Sequence, residues 1–355
     1  MNKNHIEQLD VFRALAALSV CAVHFNYDSI FHNYFAEGLF VQLFFTLSGF
    51  VISLNYHNNI KRFLDLKNFL IKRFKRLNPL HLFFLLIFLM IEILKYILYT
   101  KYNIQANSQA FEINNLKNFF LNLFFIQHLA ERYNFNSVSW SISVEMMLYI
   151  SFGLMVLINK KYLIYLSIIY IITFLLFFNS FYGAALSMKA YYSGLYSFLI
   201  GYLFCIIFQK KKIDPNNYYF NIIYYVFIFI FLIEIFYFKS IQQKYIYSII
   251  FALVFYFSCF LNKKLFLFKL FFNKYLIFLG KISYSIYLSH LFVFFILNNV
   301  LKYVLKKPIM LKHDGATILQ LDKFDAHFYT ILAYLITISV SYFAYNYIEM
   351  KFYKK

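Results

Sequence analysis

The sequence predicts an all-α, polytopic transmembrane helical bundle of about ten spans with both termini in the cytoplasm. Three observations carry that prediction. Hydrophobic residues make up 62% of the 355-residue chain and charged residues only 14%, against about 45–50% and about 25% in a soluble domain. The mean hydropathy is +0.63, and apolar runs recur at the ~20-residue length that crosses a ~30 Å hydrocarbon core. The basic residues crowd into short gaps between those runs, as membrane topology requires.

The runs fall at 9–28, 37–56, 79–99, 138–158, 162–180, 190–209, 218–238, 245–261, 283–301 and 327–347. The first carries Arg13 and has no small-residue cleavage site, so it is expected to stay as an uncleaved span. With the N-terminus inside, 21 Lys and Arg residues lie in inner segments and 11 in outer ones, which sets the cytoplasmic orientation of both ends. The longest polar gaps, 100–137 and 302–326, are then outside and too short for a soluble domain. Residues 114–126 within the first gap suit an interfacial amphipathic helix. The chain reads as a single membrane domain over 1–355.

Composition also excludes alternatives. The formal charge of +19 is accounted for by topology, so nucleic acid is not an expected partner; the lipid bilayer is. Cys21, Cys205 and Cys259 lie in apolar segments with no motif spacing, which points to packing and away from disulfides or thiolate metal sites. No metal site is expected. The oligomeric state is not legible.

Four stretches hold residues able to do chemistry. Arg13 and His24 lie eleven residues apart on the first span. At ~100° and ~1.5 Å per residue they share one helix face about 16 Å apart along the axis. Ionisable groups at bilayer depth are costly and mark functional paths, and histidine suits general-base work near neutral pH. Asp10, one turn before Arg13, is placed to pair with it or to cap the helix. Next, Lys72-Arg73-Phe-Lys75-Arg76 precedes Pro79. It serves as a positive-inside signal or as an anion site at the cytoplasmic mouth, where the guanidinium forks of Arg73 and Arg76 hold the phosphates of a cytosolic cofactor.

The third stretch runs from Trp140, an interfacial aromatic, to Glu145 and Tyr149. Glu145 is expected ~10 Å below the outer face and His24 ~22 Å above the inner one, so the two meet in depth as an orienting carboxylate and a base. The fourth, Ser283-Tyr284-Ser-Ile-Tyr287-Leu-Ser-His290, either lines a polar cavity or ties helices together. Phe44-Phe45-Thr-Leu-Ser48-Gly49-Phe50 suits close helix packing through its small residues.

Taken in order, Leu9-Asp10…Arg13…His24, Phe44-Phe45…Ser48-Gly49-Phe50, Arg73…Arg76…Pro79, Trp140-Ser…Ser143…Glu145, Ser283-Tyr284…Tyr287-Leu288…His290 and Ile348-Glu349 resemble the acyltransferase-3 family of membrane O-acyltransferases. The resemblance covers nearly the whole chain. Met146, Ser289 and Met350 depart from the family's usual pattern. The resemblance implies an acyl, expected acetyl, transfer from acyl-CoA to a hydroxyl of an envelope or exported glycan or glycolipid, as in capsule or lipopolysaccharide modification. It implies that Arg13 and His24 are essential, with His24 catalytic, and links Arg73 and Arg76 with the acyl-CoA site; Arg13, on the first span, is expected to contribute to phosphate binding as well. Acyl-CoA would be a cosubstrate, with no bound cofactor, and the location would be the inner membrane. The extra extracytoplasmic hydrolase-like domain of some relatives is not expected here. A glycan or lipid transporter is the rival class, since intramembrane polar residues also serve transport.

Overall fold

The computed structural model describes residues 5–25, 39–104, 106, 108–130, 134–177, 186–210, 221–226, 228, 247–261, 264, 266–311 and 317–353. The main helices are α1 (Glu7–His24), α2 (Leu39–Tyr56), α3 (Phe63–Tyr102), α4 (Leu116–Leu123), α5 (Trp140–Leu176), α6 (Leu186–Lys210), α7 (Tyr247–Ser258), α8 (Lys274–Lys281), α9 (Ser283–Asn299) and α10 (Lys323–Ala344). Between α9 and α10 a small antiparallel pair, β1 (Ile309–Leu311) and β2 (Thr317–Leu319), sets Met310 opposite Ile318. Six of the described helices are long and apolar enough to cross a membrane, so the protein is an all-α polytopic membrane bundle. Glu7, Asp10 and Arg13 give α1 more charge than an ordinary span carries. The expected span at 218–238 lies mostly outside the described residues.

Two boundaries have clear local causes. Within α5, Asn159 is extended, so the run is two helices joined end to end, matching the two spans expected there. The Asn159 side chain accepts from the Lys161 N–H at 2.9 Å and caps the second half. Pro79, expected in the first turn of its helix, lies inside α3 instead. That helix has 40 residues, about 60 Å at ~1.5 Å per residue, twice a ~30 Å core. Its basic N-terminal half therefore extends beyond hydrocarbon.

The described chain folds as two compact units, each drawn from three stretches. In the unit built from 1–20, 34–73 and 144–283, α2 and α6 cross at backbone contact. A Cβ on Gly49 would lie 1.9 Å from the Phe198 carbonyl oxygen, and one on Gly201 the same distance from that of Thr46. Only glycine fits at either place, as the small-residue reading of the Ser48-Gly49 stretch anticipates. Polar groups join the same helices: Ser197 donates to Gln42 Oε1 at 2.5 Å, and its hydroxyl lies 2.7 Å from that of Ser248 on α7. Phe174, Tyr196, Ile200 and Ala252 form an apolar cluster nearby.

In the second unit, from 21–33, 74–143 and 284–355, the segment after α3 folds back along it. Buried Glu92 on α3 accepts from Lys95 Nζ, the Phe111 N–H and Asn114 Nδ2 at 2.9–3.1 Å. Fourteen residues earlier, Asn78 donates to the Leu123 carbonyl at 3.1 Å, and the His81 ring bonds the Asn122 carbonyl at 2.9 Å. The segment thus follows about 20 Å of α3, alongside the helix rather than as a free-standing interfacial one. α4 is turned inside out: Asn118 and Asn122 are buried while Leu116 and Phe120 are exposed. The asparagines require partners and find them on neighbouring backbone, which leaves the apolar side facing outward.

Candidate active site

The first turns of α1 hold Arg13 in place. Arg13 Nη1 donates to Asp10 Oδ1 at 2.9 Å, one turn back, and His5 Nε2 lies 2.9 Å from Asp10 Oδ2. Asp10 is only 2% exposed. α8 ends against this turn: a Cβ on Gly280 would fall 1.9 Å from the Asp10 carbonyl oxygen. The expected Asp10–Arg13 pair therefore forms, clamped by a close helix contact. It belongs to the first unit, as do Arg73 and Glu145.

Arg73 and Glu145 are joined through Tyr56 and Phe69, which sequence reasoning did not single out, and through Tyr149 and Ser48. Arg73 Nη2 donates to the Tyr56 hydroxyl at 2.9 Å, and the guanidinium lies over the rings of Tyr56 and Phe69 at 5.1 and 6.0 Å. Phe69 meets Tyr149 edge-on at 5.9 Å. Tyr149 donates to Glu145 Oε1, and Ser48 donates to the same oxygen at 3.2 Å. The Ser48 and Tyr149 hydroxyls lie 3.1 Å apart. The i,i+4 spacing of Glu145 and Tyr149 was the available signal; nothing local pointed to Tyr56, Phe69 or Ser48 as partners. Arg76, three residues on from Arg73, is half-buried on the same helix.

His24 ends α1 in the second unit. Its ring lies 5.2 Å, centroid to centroid, from that of His290 on α9. Phe25 packs on the same patch, 6.4 Å from His290, 5.7 Å from Phe294 and 5.4 Å from Tyr334. The sequence placed both histidines among its candidates without bringing them together. The patch is pinned from the segment before α5: Asn136 Nδ2 donates to the Leu288 carbonyl at 2.9 Å, and the Tyr287 hydroxyl bonds the Val138 carbonyl at 3.0 Å and the Ser141 hydroxyl at 2.7 Å. Trp140 packs its ring on His128 at 5.6 Å. Tyr284 donates to the Leu77 carbonyl at 2.7 Å, and Ser285 donates to buried Glu349 at 3.0 Å. These contacts make much of the Ser283–His290 stretch helix-joining. Glu145 and His24 belong to different units; within its own, Glu145 is held by Ser48 and Tyr149.

The site thus has Arg13 clamped in the first turns of the first helix, and His24 at that helix's far end against a second imidazole. Residues 6–346, essentially the whole chain, match the Acyl_transf_3 family, described as an acyltransferase domain. The chain belongs to that family, and is a multi-pass membrane acyltransferase. No curated protein and no solved structure matches it.

Proposed function

We propose that the protein is an O-acetyltransferase of the cytoplasmic membrane, moving an acetyl group from acetyl-CoA to a hydroxyl of an envelope or exported glycan. The observation that carries this reading is the position of His24: an imidazole at the end of an apolar helix, packed on a second imidazole in a largely buried patch. Histidine takes up protons near neutral pH without needing a large environmental shift. His24 removes the proton of the acceptor hydroxyl as its oxygen attacks the thioester carbonyl. The C–S bond breaks, and the thiolate leaves and recovers that proton to depart as free CoA. An acyl-histidine intermediate is not needed for this balance.

Arg73 and Arg76 hold the phosphates of the donor, which enters from the cytoplasm. Contact with the Tyr56 and Phe69 rings orients the planar Arg73 fork, and planar forks match phosphate oxygens two at a time. Its Nε is buried and unbonded, a donor still to be satisfied. Arg13, fixed by Asp10, contributes positive charge on α1. Glu145 orients the Tyr149–Ser48 pair, and the Phe69 ring connects Tyr149 to Arg73.

The direct test supplies purified protein with acetyl-CoA and a panel of glycans, and follows thiol release. Acceptor-dependent release of CoA is expected; substrate uptake without CoA release would instead identify a transporter. Orientation is tested separately. Cysteines introduced at 57–76 should label only from the cytoplasm, and those at 302–326 only from outside; the reverse pattern would break the proposed donor route.

A further inference from the structure

His290 carries a hydrogen-bond acceptor that none of the described residues uses. Its Nδ1 lies 3.3 Å from the carbonyl oxygen of Ile286, one turn back on α9. A carbonyl only accepts, so this nitrogen bears the hydrogen. A neutral imidazole has one N–H, which leaves Nε2 as a bare lone pair. The residue is fully buried, and Nε2 has no partner. Buried polar atoms in folded proteins are almost always satisfied, and one that is not points to a missing donor.

A second orphan of the same kind is attached to the same helix. Asn136 gives its Nδ2 hydrogen to the Leu288 carbonyl, two residues before His290, so its Oδ1 is also an acceptor, and that oxygen is buried without a partner. Both orphans are acceptors, and phosphate and carboxylate offer them only further lone pairs, so neither atom is built to meet an anion. A polyhydroxylated molecule supplies what is absent. His24, 5.2 Å from His290 ring to ring, is the base of the proposed reaction on the same patch.

We infer that His290 is a specificity residue for the acceptor: its Nε2 accepts a hydrogen bond from the hydroxyl next to the one acylated, so the substrate class is a sugar with hydroxyls on adjacent carbons. The inference rests on the acyltransfer reading. One hydroxyl donates to His290 and is not consumed; its neighbour loses its proton to His24. The rigid spacing of the two imidazoles then selects which oxygen of the pair reacts.

The test uses the full-length protein, acetyl-CoA, simple methyl glycosides and their monodeoxy analogues, with His290→Phe and His290→Gln. Removing the neighbouring hydroxyl should lower kcat/KM of the wild-type protein about ten- to a hundredfold, the worth of one hydrogen bond to a buried, otherwise unsatisfied group. His290→Phe fills the same volume without nitrogen, so it should show a similar loss on the parent glycoside and no further loss on the deoxy analogue. His290→Gln retains an acceptor and should keep part of the discrimination. The KM for acetyl-CoA should not move in either variant. A purely structural histidine would give the opposite ranking, with phenylalanine tolerated and glutamine not, and that result overturns the inference. So does a wild-type enzyme that is indifferent to every deoxygenation, an outcome that decides the matter even where His290→Phe does not fold. A wild-type protein releasing no CoA with any acceptor sinks the acyltransfer reading itself, and this inference with it.

Discussion

The carboxylate of Glu145 and the imidazole of His290 are both polar groups inside apolar helices, yet they are treated oppositely. One oxygen of Glu145 receives hydrogen bonds from two hydroxyls, those of Ser48 and Tyr149, and the chain continues through Phe69 to Arg73. Nε2 of His290 receives none among the described residues. A half-buried carboxylate oxygen that takes its hydrogen bonds from hydroxyls on two of the protein's own helices ties those helices together. Nε2 of His290, left wanting a donor, is the atom proposed above to meet the acceptor. In the proposed function, the contrast sets the helix-joining bonds around Glu145 apart from the acceptor-facing nitrogen of His290.

The largest effect expected in the first region comes from its glycine crossings. Gly201→Leu places side-chain atoms where the Thr46 carbonyl stands, and should cost roughly 3 kcal/mol or more; size-exclusion profile and thermal melting in detergent will read it. A stable, monodisperse Gly201→Leu protein would show that α2 and α6 need not touch. Next comes Arg73→Ala, which should weaken acetyl-CoA binding by about 1.5–3 kcal/mol through loss of charged hydrogen bonds. Arg73→Lys should recover only part, because the ammonium lacks the fork. Unchanged CoA affinity by direct titration would reduce Arg73 to a topology signal. Tyr149→Phe removes one donor to Glu145 while leaving Ser48. It should lower stability by about 1–3 kcal/mol and slow turnover much less than loss of His24. A collapse in turnover at unchanged stability would move Glu145 from the architectural side of the comparison to the reactive side. The smallest effect is expected at the N-cap of α8, where the Asn273 side chain accepts from the Tyr275 and Leu276 N–H groups. Asn273→Ala should cost about 1 kcal/mol with activity retained.

Much of this was legible in the sequence. The apolar runs located the long helices, and the i,i+3 spacing of Asp10 and Arg13 located their pair. The extent of α3 was hidden because hydropathy stops at Pro79 while the helix continues back through a charged stretch of good helix formers. The return of 108–126 along α3 was hidden because a polar-in, apolar-out helix has the same periodicity as the usual arrangement with its faces exchanged. His24 and His290 are each visible as rare ionisable residues in apolar runs. Their approach is not, since 266 residues separate them and no local rule relates them. The inner hydrogen bonds of the Tyr149 network are likewise a product of tertiary packing.

The central claim is that His24 is the base. The most direct measurement is acetyl transfer by His24→Ala protein shown to insert and fold like the wild type. Removing a polar ring from a span does not hinder partition into the bilayer, so normal expression is expected. Turnover should fall about 10²–10⁴-fold, the usual worth of a positioned acid–base group, while acetyl-CoA still binds. Transfer at near-wild-type rate by well-folded His24→Ala protein would contradict the account and move the base elsewhere in the bundle, with His290 the first group to test.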